Sequence, residues 1–312
     1  MTRELQAVAA ALGPRARPGS PLGARTTYRV GGLAALSVEV DDEEDLQAVH
    51  RALVAAGGPV PVLVLGKGSN LLVADAGFDG LVVVPGRHLA EVEVRGTLVR
   101  AGAAAGLPVV ARRSAAAGLR GMEWAVGVPG SVGGALKMNA GGHGSDTASV
   151  VSRCRVFDLA AGIAWEDGPE RLGLRYRHSQ LAAGDVALWA EFSLQTGSRA
   201  AAEAELAGIV RWRRQHQPGG SNAGSVFTNP PGDSAGRLVD AAGLRGVRLG
   251  SACVSEKHAN FIQADDGGTA DDVRRLIDHV RQQVAQMFGV ELVPELRMVG
   301  FADSPELLVE AT

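Results

Sequence analysis

Two glycine-rich stretches constrain this chain more than any other feature. One is Leu65-Gly66-Lys67-Gly68-Ser69-Asn70-Leu71, directly after an apolar run at 60–65. The other is Gly127-Val128-Pro129-Gly130-Ser131-Val132-Gly133-Gly134-Ala135-Leu136-Lys137-Met138-Asn139-Ala140-Gly141-Gly142. Glycines with a hydroxyl and a lysine form a backbone nest whose N–H groups can face an anion. In the second stretch Pro129-Gly130 makes a turn and Ser131 can cap a helix, whose first N–H groups would seat a pyrophosphate. The first is not a Rossmann fingerprint, since Leu71 stands where the third glycine would be, and it lacks the Walker A spacing. Either stretch alone reads as a tight turn. Two together fit a dinucleotide with two phosphates. Glycine supplies 42 of 312 residues, nearly twice its usual share of about 7%.

The length suggests two domains, or one with a large appendage. With 31 Lys+Arg against 34 Asp+Glu, the chain has no cation excess for a nucleic-acid backbone. Cys154 and Cys253 make neither a disulfide framework nor a metal site, which points to a reducing compartment and no metal. No run of about 18 uncharged apolar residues exists, so no membrane insertion is expected. The apolar start at 5–12 sits among Glu4, Arg15 and Arg17 and reads as a helix ended by Gly13-Pro14, not a signal peptide. The expectation is a soluble globular protein.

A strand at 36–40, an acidic-capped helix with Leu46, Val49, Leu53 and Val54 at helical spacing, and a strand at 60–65 make a β-α-β unit. A strand follows at 81–84, then a hairpin at 91–94 and 98–101, and a helix at 109–117. Strands are expected at 150–157, 163–165 and 186–194. A charged helix at 198–217 ends at Pro218-Gly219-Gly220, the expected domain edge. Beyond it come a helix at 235–242, a strand at 260–263, a capped helix at 269–288 and a last strand at 291–299.

Several single residues stand out. Gly224 leaves the Ser225 hydroxyl unhindered, but no G-x-S-x-G surrounds it, so serine as an acid stays open beside an ordinary loop hydroxyl. Arg177, in Tyr176-Arg177-His178-Ser179, reads equally as a salt-bridge residue. Glu295 alternates with Leu292, Leu296 and Met298, as a solvent-facing strand residue would. Lys257 and His258 lie in Ser255-Glu256-Lys257-His258-Ala259-Asn260 before a strand.

These segments, with Thr26-Thr27-Tyr28-Arg29-Val30-Gly31-Gly32, Gly224-Ser225-Val226-Phe227-Thr228-Asn229-Pro230 and Glu295-Leu296-Arg297, stand in an order that resembles one family across nearly the whole chain. It is that of the UDP-N-acetylenolpyruvoylglucosamine reductases, the MurB flavoenzymes of peptidoglycan synthesis, most similar to the type II form lacking an extra substrate-covering loop. All three lysines of the chain fall inside the matching segments. The resemblance implies an α+β fold with a two-subdomain FAD-binding region of the vanillyl-alcohol-oxidase (PCMH) type at 1–197, divided at about 85, and a smaller α+β substrate domain at 198–312. It implies non-covalent FAD on Tyr28, Arg29, Gly31, Gly66, Lys67, Gly68, Ser69, Asn70 and Leu71, and on Val128, Pro129, Gly130, Ser131, Gly133, Gly134, Asn139 and Ala140. NADPH would supply hydride to the flavin. UDP-N-acetylglucosamine enolpyruvate would then be reduced through flavin N5 to UDP-N-acetylmuramate. Arg177 would face the enolate, Ser225 would protonate it and Glu295 would orient or protonate it. Tyr176, Asn229, Lys257 and His258 would touch substrate. A cytoplasmic monomer is implied. Thr228, Leu174 and Gly142-His143 depart from the family pattern. A flavin oxidase on the same scaffold would carry a histidine linked to its flavin, and a non-catalytic binder would have lost Ser225, Arg177 or Glu295.

Overall fold

The computed structural model describes residues 1–304 and 307–312. Its first body is a five-stranded sheet in the order Arg17–Ser20, Ala34–Val40, Phe78–Pro85, Val60–Val64, Leu308–Val309. The β-α-β unit is there, but its strands are not neighbours. Phe78–Pro85 lies between them, parallel to both, pairing Leu36 with Leu81 and Val62 with Leu81. Helices α1 (Arg3–Leu12) and α2 (Glu43–Ala56) cover one face, burying Leu5, Val8, Leu46, Val49 and Leu53 against Leu36, Val38 and Val83. Asp42 caps α2, three acids fill its first turn, and Gly57 at φ 68° ends it. The exposed edge strand Arg17–Ser20 was not expected, since its sequence RPGS has no apolar alternation.

The second body is an antiparallel sheet in the order Ile163–Asp167, Val151–Asp158, Asp185–Ser193, Leu98–Gly102, Val92–Arg95. Helix α3 (Leu107–Ala116) and the short α4 (Val132–Met138) share its core. A four-residue helix, α5 (Pro169–Leu172), precedes the turn that holds Arg177. Helix α6 (Arg199–His216) buries Ala202, Leu206 and Ile209 in this same core.

The third body is a small sheet of Arg248–Leu249, Ala252–Val254 and Ile262–Ala264, covered by α7 (Ala235–Ala241) and α8 (Ala270–Phe288). Tyr28, Val30 and Leu72 of the first body reach into its core. The strand expected at 291–299 is only Arg297–Val299, and it pairs in parallel with Leu71–Val73 just past the first glycine loop. Leu308–Val309 pairs with Val60–Val64. Of the stretch expected as one domain at 198–312, then, α6 packs with the second body and the tail with the first, and only the middle forms a core of its own. No helix among the described residues is long and apolar enough to cross a membrane.

Candidate active site

The first glycine loop leaves its strand where the Leu65 N–H donates to the Val83 carbonyl at 2.9 Å. Over 66–70 no backbone N–H has a protein acceptor among the described residues, while the Gly68 carbonyl accepts from Thr27 N–H at 3.1 Å. Gly68 sits at φ +61°, and a Cβ there would lie 2.5 Å from the Arg25 carbonyl oxygen. Only glycine fits that approach. The loop is thus a row of unsatisfied donors held rigidly from behind.

The second loop faces the first. A Cβ on Gly66 would meet Ser131 Oγ at 2.4 Å, and one on Gly130 would lie 3.5 Å from Ser69 Oγ. Ser131 caps α4 by accepting the Gly134 N–H at 3.4 Å. Val132 and Gly133 donate to the Ala105 and Ala103 carbonyls, both at 2.9 Å. The first turn of α4 therefore has no spare donors, contrary to the sequence expectation. The N–H groups of Gly130 and Ser131, just ahead of it, have no protein acceptor among the described residues.

Arg177, Ser225 and Glu295 line one cavity of about 570 Å³ together with both loops. Arg177 adopts φ +54° in a turn closed by the Arg175–His178 bridge. Its Nη2 donates to the Gly141 carbonyl at 3.0 Å and Nη1 to the Asn139 carbonyl at 3.4 Å. Its Nε lies 2.8 Å from Glu295 Oε1. That N–H is not aimed at the oxygen and has no hydrogen-bond partner among the described residues. Burial pushes the Glu295 carboxyl up from the usual range, and the Arg177 charge opposes the shift. Glu295 is not the solvent-facing strand residue its alternation suggested. It lies in an extended segment whose Pro294 bridges Phe227, and its side chain is 16% exposed. Asn260 clamps the backbone after Ser225: its carbonyl accepts from Val226 N–H at 2.8 Å and its Oδ1 from Phe227 N–H at 3.0 Å.

A family model described as an FAD binding domain matches residues 34–166, and one for the C-terminal domain of UDP-N-acetylenolpyruvoylglucosamine reductase matches 215–299. The UDP-N-acetylenolpyruvoylglucosamine reductase 2 of Symbiobacterium thermophilum is 43% identical over 295 residues, 92% of each chain. The chain belongs to the UDP-N-acetylenolpyruvoylglucosamine reductase family. The reductase of Rubrobacter xylanophilus is 41% identical over 92% of this chain and 96% of its own. The crystal structure of the Thermus caldophilus reductase superposes with a TM-score of 0.78 at 34% identity, covering 89% of this chain and 97% of that one. The chain is accordingly an FAD-dependent oxidoreductase with a two-subdomain FAD-binding α+β fold.

The residues present fit that cofactor. Among the described residues, Lys67, Lys137, Arg177, Arg213 and Arg297 line the cavity against Asp185 and Glu295, an excess of cations in a chain of net charge −3. Gln217, which lines the cavity, and Thr27, beside Gly68, each have a buried side-chain oxygen (Oε1 and Oγ1) without a protein partner among the described residues. A diphosphate dinucleotide supplies both the anion and the hydrogen-bonding edges such a cavity calls for.

The other expected residues are placed unevenly. Gly66, Lys67, Gly68, Ser69, Asn70, Leu71, Val128, Pro129, Gly130, Ser131, Gly133, Gly134 and Ala140 line the cavity, whereas Tyr28, Arg29, Gly31 and Asn139 do not. Tyr28 is wholly buried in the third body's core, which drives its hydroxyl pKa upward. Gly31, at φ +103°, packs against the Val73 carbonyl, and Arg29 is exposed. Asn139 ends α4 and ties Asp146, Arg175 and Ala148 together at 2.9–3.1 Å. Of the expected substrate contacts, Tyr176 is 58% exposed and Asn229 Oδ1 caps α7 at Ala235 N–H. Lys257 reaches the Arg214 carbonyl, and His258 packs on Phe261 with its Nδ1 accepting from Asn260 N–H at 3.2 Å. None of these four lines the cavity, but Phe261 does. Sequence reading missed Arg213, in the last turn of α6, and Gln217, the residue that ends the helix and donates its N–H to the Arg213 carbonyl at 2.8 Å. Burial lowers the Arg213 pKa, and no carboxylate pairs with it among the described residues. Lys137 is a strut to the Leu181 and Ala182 carbonyls, its pKa lowered chiefly by burial.

Proposed function

We propose that this chain reduces UDP-N-acetylglucosamine enolpyruvate to UDP-N-acetylmuramate with NADPH as donor, and that Arg177, Ser225 and Glu295 carry the proton side of the reaction. The observation that supports this most directly is the convergence of these three side chains, from distant parts of the chain, on one cavity walled by two donor loops. Bound FAD supplies the two-electron relay between nicotinamide and the enolpyruvyl double bond.

The unsatisfied N–H row at 66–70, with Gly130 and Ser131, would hold the FAD diphosphate, and Lys67 would neutralise it. Reduction of an enol ether beside a carboxylate places negative charge on that carboxylate and on the adjoining carbon. Arg177 is fixed by two carbonyls so that the N–H groups it does not spend on them can meet that charge without reorganising. Ser225 would donate its hydroxyl proton to the carbon, a transfer that needs a strongly basic acceptor within hydrogen-bond reach. Glu295, whose carboxyl pKa burial pushes upward against the Arg177 charge, would return a proton to this network or orient Arg177. Both cysteines are free thiols, which suits a reducing, cytoplasmic setting.

The test is NADPH oxidation by purified, FAD-loaded protein with and without the enolpyruvyl nucleotide. Turnover that depends on the nucleotide supports the reading. Oxidation that ignores it, or consumption of oxygen with an alcohol substrate, rejects it.

A further inference from the structure

We propose that Asn70 is a positioning residue that ties the glycine loop at 66–70 to Glu295, so that filling the loop and setting the Arg177–Glu295 pair are one event. The inference rests on the proposed function for its chemistry and on hydrogen bonds for its geometry.

Asn70 faces two ways. Its backbone N–H belongs to the row of donors without protein acceptors. Its side-chain Nδ2 donates to the Glu295 carbonyl at 3.1 Å, and its own carbonyl accepts from Arg297 N–H at 3.1 Å. Glu295 is therefore gripped on its C-terminal side by one residue of the loop. The grip continues into the parallel ladder, where Arg297 pairs with Leu71. On its other side Glu295 N–H donates to the Val226 carbonyl at 2.8 Å, one residue from Ser225. A chain of bonds thus runs from the donor loop through Asn70 and Glu295 to the serine.

Chemistry fixes the orientation of the amide, because only its NH2 end can face a carbonyl. That nitrogen is spent on Glu295, so the side chain serves the carboxylate segment, while the loop's backbone serves the ligand. An aspartate of the same shape could not donate there.

Amide exchange at 295–297 tests the tie, together with the two half-reactions, in the wild type, Asn70→Ala and Asn70→Asp. At saturating FAD, exchange at Glu295 and Arg297 should slow by about tenfold or more in the wild type, and both variants should lose most of that protection. With FAD saturating, reduction of the enolpyruvyl nucleotide should fall about tenfold or more in the variants, and further than bleaching of the flavin by NADPH falls. In a Glu295→Gln background, Asn70→Ala should add little further loss. Unchanged exchange, equal loss in both half-reactions at saturating FAD, or losses that multiply would each overturn the proposal. If the wild type binds no FAD, the functional reading fails. The tie is then still decided by whether the substitutions speed exchange at 295–297 in the cofactor-free chain.

Discussion

A serine hydroxyl is a weak acid, so Ser225 can protonate only what nothing else in the cavity has already quenched. Ser225→Ala should leave FAD binding and flavin bleaching by NADPH near wild type. It should slow the nucleotide-dependent half-reaction by about 10²-fold or more. Rapid mixing of each half-reaction separates the two, and equal loss in both would remove Ser225 from its role. His258 offers a test of stability. Its imidazole pKa is lowered first by burial and then by the nearby Arg245 charge, so the folded chain binds this proton less readily than the unfolded chain. Stability from this group is full above the unfolded histidine value and is lost as pH falls from there through the lower folded value. The fall in melting temperature between pH ~7.5 and ~5.5 should therefore be smaller in His258→Asn than in wild type. An undiminished fall would mean that His258 is not its source. At this scale the sequence marked Arg177, Ser225 and Glu295 through their motifs. Arg213 and Gln217 stayed hidden because the end of a charged helix looks solvated, and nothing local tells that Gly127 packs against Arg213.

Helices and strands were legible wherever the cause was local. The caps of α2 and α8, and the periodic apolar residues they precede, are short-range signals, and both helices lie within two residues of expectation. The donors of α4 were misjudged because carbonyls at Ala103 and Ala105, far from the capping serine in sequence, take them. The final strand was overextended because alternation at 291–299 reflects burial on two different partners, Phe227 and then Leu71–Val73. Contact between the two glycine loops makes its own prediction. In Gly66→Ala the new methyl would land 2.4 Å from Ser131 Oγ, forcing that hydroxyl off the Gly134 N–H or the loops apart. A penalty of about 1–3 kcal/mol follows, read as roughly ten- to hundredfold weaker FAD binding by flavin fluorescence. Gly130→Ala is the control, because its methyl would make an ordinary 3.5 Å contact with Ser69 Oγ. Equal weakening in both would show that loop spacing is not what the glycines protect.

The first and third bodies meet along a seam, and one carboxylate makes two hydrogen bonds across it. Asp75 lies just beyond Leu71–Val73, and its two oxygens accept the Ala270 and Asp271 N–H groups at 2.9 Å each. It thereby satisfies donors at the start of α8 that Thr269, which takes the Asp272 N–H, cannot reach. The same seam carries Arg274 to Asp303 and the ladder of Arg297–Val299 on Leu71–Val73. Pairing between segments so far apart in the chain left no trace in composition or spacing, which is why a division at 198 looked natural. Asp75→Ala should lower stability by about 0.5–2 kcal/mol, in proportion to a lost cap, as read by denaturant unfolding. Asp75→Asn should lose less, because its carbonyl oxygen can keep one of the two bonds. FAD binds between the first and second bodies in this reading, so its affinity should hold in both variants. The KM for the enolpyruvyl nucleotide should rise, since Ser225 and Phe261 ride on the third body. A fall in FAD affinity with an unchanged KM would mean that the seam serves the cofactor loops and leaves the substrate wall to stand without it.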